Sequence, residues 1–248
     1  MAIPRRFTIA ESSHRILDPF TPAKLADLGN ALHLRPAMSM LDLACGKGEA
    51  LCQWAKAHGI RGTGVDINQP FVDAANARSH ELGVSDQVTF VHSDASDYVS
   101  DEPVDVASCM GATWIGDGPV GTLDLLARSL KPSGLAVIGD CYWREVPTTQ
   151  EAIEGSIARS VEDFPTLWGL IETVQQAGWD VVEMVHADEH SWDRYVAAQW
   201  LNLRRFIDEN PDDEIVPELR AELDIAPGQY VRHQRRYLGW GAFALMKR

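Results

Sequence analysis

The sequence predicts an α/β fold, an open and mostly parallel sheet with helices on both faces. Three observations carry this. Residues 38–43 are apolar apart from Ser39 and Asp42, run into a turn containing Gly46 and Gly48, and are followed by helical spacing over 50–55. Asp66 closes a second apolar run about 20 residues beyond the glycines, the interval at which such folds set an acid against ribose hydroxyls. Beyond it, short strand-like runs alternate with helical stretches as far as Val185, as in repeated βαβ units.

Composition narrows the function. The 248 residues, 45% hydrophobic, suffice for one large domain, read here as a single unit (1–248) with an N-terminal helical segment (1–36) and a helical insertion (188–238). A net charge of −14 argues against a nucleic-acid partner, whose phosphates require a basic surface. The basic clusters Arg5-Arg6, Arg204-Arg205 and 232–236 are short and read as solvated faces. No apolar core follows Arg6 as a secretory signal would require, and no apolar run is long enough to cross a bilayer. Cys45, Cys52, Cys109 and Cys141 lack CxxC spacing, so the expectation is a cytoplasmic protein with free thiols, no metal and no membrane association.

The glycine turn admits several cofactor readings. A dinucleotide fingerprint needs Gly or Ala three residues after Gly48, where Leu51 stands, and a P-loop needs Gly-Lys-Ser/Thr, which Gly46-Lys47-Gly48 does not supply. The stretch Asp42-Leu43-Ala44-Cys45-Gly46-Lys47-Gly48 instead resembles motif I of the class I S-adenosylmethionine-dependent methyltransferases, Asp-x-Gly-x-Gly-x-Gly, with alanine at the first glycine. That resemblance implies a Rossmann-like, seven-stranded mixed sheet with strand 7 antiparallel, and S-adenosylmethionine as cofactor.

The remaining elements follow in order. Residues 12–17 read as helical up to Pro19, and Thr21-Pro22 offers a cap and first-turn proline for a helix carrying Leu25, Leu28 and Leu32. Glu11, Ser12, His14 and Arg15 could line a substrate mouth or simply lie on the surface. Strand two, 59–68, precedes a helix over 71–82 closed by Gly83. Strand three, 88–92, ends at Asp94-Ala95, the pair that in the methyltransferase pattern reads adenine. Strand four begins at Val104 and exits through 109–114, where Trp114 either walls an acceptor pocket or closes the core. A helix over 120–130 leads through Lys131-Pro132-Ser133-Gly134, similar to the family's Leu-Lys-Pro-Gly-Gly, to strand five at 135–140. A helix over 167–177 and strand six at 179–185 follow. Strand seven is then 241–246, so what intervenes is an insertion carrying Trp192, Tyr195, Trp200 and Phe206, a lid over the cofactor end or an oligomer interface, with a homodimer left open.

The resemblance implies cofactor contacts from Asp42, Ala44, Cys45, Gly46, Gly48, Asp66, Ile67, Asn68, Asp94, Ala95 and Cys109. Acceptor-side candidates are Trp114, Tyr142, Trp143, Arg144, Trp192 and Tyr195. Position 109 opens Cys-Met-Gly-Ala rather than the Asn/Asp-Pro-Pro-Tyr/Phe of amine methylases acting on bases or glutamine, which agrees with the acidic charge in favouring a small molecule. Wording such as Tyr142-Trp143-Arg144 and Trp192-Asp193-Arg194-Tyr195 is similar to a bacterial YjhP-like subgroup, a likeness that implies no particular acceptor. The expected reaction is methyl transfer to an O, N or S nucleophile, with Asp140 and His14, and His186 beside them, as candidate bases. A non-catalytic sensor of the cofactor and, further off, a nicotinamide-dependent oxidoreductase remain the alternatives.

Overall fold

The structure, a computed structural model, describes residues 4–248. Seven strands form one sheet in the order β3-β2-β1-β4-β5-β7-β6: β1 (Ser39–Leu43), β2 (Arg61–Asp66), β3 (Val88–His92), β4 (Val104–Met110), β5 (Leu130–Trp143), β6 (Trp179–His186) and β7 (Leu238–Lys247). The first five pair in parallel, and β7 inserts antiparallel between β5 and β6. This is the expected Rossmann-like mixed sheet with strand 7 antiparallel.

Alternation along the central strands sends side chains to two cores. Met40, Val137 and Ala244 pack with Leu51, Trp54 and Val72 from α3 (Glu49–His58) and α4 (Gln69–Leu82), joined by Leu25 and Leu28 of α2 (Pro22–Ala31). Leu41, Leu43, Ile138 and Phe243 face the other way, onto Leu123 and Leu126 of α5 (Pro119–Ala127) and Leu170 and Val174 of α7 (Leu167–Gln176). Burying both faces of a parallel sheet explains its near-continuous apolar strands. At the cap of α2 the Thr21 hydroxyl accepts from Lys24 N at 3.2 Å, with Pro22 in the first turn, as the sequence indicated.

Three local departures have physical causes. Residues 12–17 are not helical. The first helix, α1 (Arg5–Ala10), lies earlier, and the backbone carbonyls of Glu11, Ser12 and His14 turn instead to the Lys47 ammonium at 2.7, 3.3 and 2.6 Å. Strand β5 runs past residue 140 because, after its parallel ladder with β4 ends at Met110↔Gly139, the antiparallel ladder with β7 continues to Trp143↔Leu238. Between β5 and α7 lies a six-residue helix, α6 (Gln150–Gly155), too short to show a periodic face.

Between β6 and β7 the chain forms α8 (Glu189–Glu209), α9 (Val216–Gln229), a π-helical stretch (Tyr230–Gln234) and a final helical turn (Arg235–Tyr237). Leu203 and Ile207 of α8 and Leu219 of α9 share a satellite core with Ile9 and Ala10 of α1. The N-terminal segment is thus packed on the insertion, which sets where the stretch after α1 can lie.

Candidate functional site

A cleft of about 510 Å³ opens at the C-terminal ends of β1 to β4, where open parallel sheets bind ligands. Its floor is Asp42, Ala44, Cys45 and Gly46 from β1 and its turn, Asp66 and Ile67 from β2, and Asp94, Ala95 and Ser96 after β3. Met110, Gly111, Ala112, Trp114 and Ile115 form the wall beyond β4, and Pro4, Phe7 and residues 15–18 form the roof.

The turn is made by left-handed residues at alternate positions: Ala44 at φ 54°, Gly46 at 55° and Gly48 at 68°. The alanine at the first position therefore takes a conformation better suited to glycine. The two glycines serve different purposes. A Cβ on Gly46 would strike the Leu17 side chain of the roof at 2.8 Å, whereas on Gly48 it would strike Phe90 and Ala75 at 2.5 and 2.7 Å. Gly46 lets roof and floor approach, while Gly48 seats α3 on the sheet and lies outside the cleft.

Three acids on the floor differ in state. Asp42 is buried, its Oδ1 accepts the Ser108 hydroxyl at 2.5 Å, and burial, with Asp66 nearby, pushes its carboxyl up to about 7. Asp66 accepts from Gly46 N on one oxygen and Asn68 N on the other, both at 2.8 Å. Burial still holds its pKa above the ordinary carboxylate value, those two amides acting against the rise. Asp94 is exposed and held below it by hydrogen bonds from the Ser96 amide and hydroxyl. Among the described residues one oxygen of Asp42 has no donor, so a ligand ammonium would relieve a carboxylate that burial disfavours. Asp66 can accept further hydroxyl protons on the spare lone pairs of both oxygens. This donor-poor, acid-lined floor fits the amino-acid and ribose parts of S-adenosylmethionine.

The roof is fastened from two sides. Lys47, in the glycine turn, donates to the three roof carbonyls already described. Glu11, fully buried, accepts on Oε1 from Tyr195 OH at 2.9 Å and Gln199 Nε2 at 2.6 Å, both from α8. The His14 ring packs on Tyr195 with centroids 4.8 Å apart, its Nδ1 3.0 Å from Glu11 Oε2 but out of line for a hydrogen bond.

Several candidates from the sequence stand away from the cleft. Asn68 caps the turn onto α4, and Cys109, on β4 itself, is buried in the core. His14 and Tyr195 sit behind the roof. Asp140, half-buried and raised by that burial, accepts from Thr113 Oγ1 at 2.6 Å and Cys141 N at 2.7 Å. His186 Nδ1 is 3.0 Å from Tyr142 OH. Tyr142, Arg144 and Trp192 line a separate cavity of about 400 Å³, and Trp143 is buried against Phe164. Of the acceptor-side set only Trp114, 72% exposed, overhangs the cleft. Asp18, Lys47 and Phe71 line it without having been singled out. For Asp18 the available signal was Asp-Pro-Phe, whose carboxylate caps its own turn by accepting from Phe20 N at 2.9 Å.

A family model described as a methyltransferase domain matches residues 40–134. A crystal structure of an S-adenosylmethionine-dependent methyltransferase from Geobacter sulfurreducens, in complex with S-adenosyl-L-homocysteine, is 55% identical, with a TM-score of 0.97 over 99% of each chain. This chain belongs to the class I S-adenosylmethionine-dependent methyltransferases. The Escherichia coli K12 protein YjhP is 52% identical to this methyltransferase over 100% of both chains. The 27-O-demethylrifamycin SV methyltransferase of Amycolatopsis mediterranei is 27% identical over 74% of this chain and 58% of its own. S-adenosylmethionine is accordingly the methyltransferase's cofactor, and the glycine turn with its strand-end acids is the part of the cleft that fits it.

Proposed function

We propose that this methyltransferase transfers a methyl group to an O, N or S nucleophile of a small molecule held in the same cleft. The observation that carries the reading is the enclosure of the cleft. Its roof and far wall are mostly apolar, through Pro4, Phe7, Ile16, Leu17, Met110 and Ile115 with Arg15 and Asp18 as charged exceptions, and they close over the floor acids, which suits a compact acceptor. The net charge of −14 disfavours a nucleic-acid acceptor, and no helix among the described residues is long and apolar enough to cross a membrane. The rifamycin relative, whose name describes a small-molecule substrate, supports the same class. A cytoplasmic setting accords with four free cysteines, two of them buried.

Bound S-adenosylmethionine supplies a methyl carbon already activated by its sulfonium. Asp42 would take the ammonium of its amino-acid part, Asp66 the ribose hydroxyls, and Asp94 with Ala95 the adenine edge. The roof residues exclude water and fix the acceptor in line, the proximity effect that supplies most of such a rate enhancement. The test is a two-stage assay: calorimetric titration with S-adenosylmethionine and S-adenosylhomocysteine, then a screen of phenols, alcohols, amines and thiols for S-adenosylhomocysteine release. Turnover with one of them supports the reading; turnover only with a macromolecular acceptor refutes it.

A further inference from the structure

We propose that Asp18 is the catalytic base, its free carboxylate oxygen facing the methyl group, and that the acceptor therefore carries an O–H or N–H. This rests on the small-molecule reading above and narrows it.

The placement follows from the neighbours of Asp18 along the chain. Leu17 presses on the glycine turn after β1, so close that a Cβ on Gly46 would meet its Cδ1 at 2.8 Å. Phe20 is buried edge-on against Trp240 of β7, ring centroids 4.6 Å apart, and Trp240 pairs with Cys141 of β5. Asp18 is thus spanned across the end of β4, the strand between β1 and β5. Ribose and adenine are assigned in the other direction, at β2 and β3, and in the cofactor the sulfonium follows the ribose on the side away from the adenine, so the sulfonium and its methyl point toward β4.

Asp18 lines the cleft, is 8% exposed, and has its Oδ1 fixed by the Phe20 amide at 2.9 Å, while Oδ2 has no donor among the described residues. Three other carboxylates of the cleft are committed: Glu49 is clasped by Arg78 through two bonds of 2.8 Å, Asp66 holds two amides and Asp94 holds Ser96. Asp42 also keeps one oxygen free among the described residues, but it stands on β1 in the floor, where it is assigned the ammonium of the cofactor's amino-acid part. Asp140, His14 and His186, the bases suggested by sequence, do not line the cleft at all. Burial raises the Asp18 carboxyl to about 7, which suits proton transfer near neutrality.

In the step, the acceptor's lone pair forms the new bond to the methyl carbon, the carbon–sulfur pair remains on sulfur, and the acceptor's proton passes to Asp18 Oδ2. The neutral carboxylic acid then loses that proton to solvent. A thiolate needs no such group, so an unpaired carboxylate at this place marks a hydroxyl or amine acceptor.

Sinefungin tests the placement without knowledge of the acceptor, because a carbon bearing an ammonium group replaces its sulfonium and methyl. Calorimetric titration of wild type and Asp18→Asn with sinefungin and with S-adenosylhomocysteine reads two affinities on each folded sample. Asparagine keeps the oxygen that accepts from Phe20, and Asp18→Ser provides a second variant should the first unfold. The expected result is a loss of about tenfold or more for sinefungin, with S-adenosylhomocysteine changed less than about twofold. Equal losses for both ligands would place Asp18 at the amino-acid end, and no loss for either would place it away from the methyl; each overturns the proposal while leaving the cofactor assignment standing. Failure of wild type to bind S-adenosylhomocysteine would overturn both.

Discussion

Asp66→Ala is the most direct test of the cofactor floor. The Asp66 carboxylate accepts from Gly46 N and Asn68 N at 2.8 Å, so it shapes the glycine turn, and its spare lone pairs are the ones proposed to take the ribose hydroxyls. Loss of two charge-assisted hydrogen bonds to ribose hydroxyls amounts to about 2–4 kcal/mol, a fall of about 30- to 1,000-fold in affinity for S-adenosylhomocysteine. The truncation also leaves two amides without their acceptor, which should lower stability by about 1–3 kcal/mol. Asp66→Asn is no gentler, because its NH2 must confront one of the two N–H donors. Titration calorimetry gives the affinity, and thermal unfolding without ligand gives the stability. An affinity within about twofold of wild type for both variants would refute the ribose role and with it the argument from strand-end position.

Three other outcomes are expected. A carboxyl whose pKa rises on folding contributes stability below its ordinary value, near 3.8, and loses it as pH rises through its folded value, which for Asp42 and Asp18 is about 7. Wild type should therefore lose unfolding free energy relative to the non-titrating Asp42→Asn between about pH 4 and 7, as followed by denaturant melts; a flat difference would contradict this. Lys47→Met releases the carbonyls of Glu11, Ser12 and His14, so S-adenosylhomocysteine should dissociate faster in stopped-flow displacement, and an unchanged off-rate would show that the roof stays shut without it. Tyr195→Phe leaves Glu11 Oε1 with Gln199 alone, and the midpoint of thermal unfolding should drop by about 3–6 °C while the affinity for S-adenosylhomocysteine stays within about twofold.

The sheet was legible because its signals are local. Alternation, strand-end acids and capping residues such as Gly83 and Thr21 each sit within a few residues of what they determine. The floor of the cleft was legible for the same reason: Asp42, Gly46, Asp66 and Asp94 all stand at strand ends in a known pattern. The roof was not. Its shape depends on contacts 33 to 188 residues apart in sequence, Lys47 with His14 and Gln199 with Glu11, and nothing local announces them. The same blindness displaced the acceptor-side candidates. Tyr142 and Trp143 continue β5 beyond Asp140, carried there by pairing with β7.

The roof sets an order of events for a chain emerging from the ribosome. Gln199 and Tyr195 reach Glu11 across 188 and 184 residues, and the sheet itself is incomplete until β7 slides between β5 and β6. The floor can form as soon as β4 is made, yet neither the cover over it nor the second half of the sheet can exist before nearly the whole chain is out. A chain made only as far as β6 would therefore present an open, acid-lined trough, and only one that includes α8 and β7 has both the cover and the whole sheet. Such long-range closure is slow by its topology, and it ties the onset of ligand enclosure to the arrival of α8 and β7.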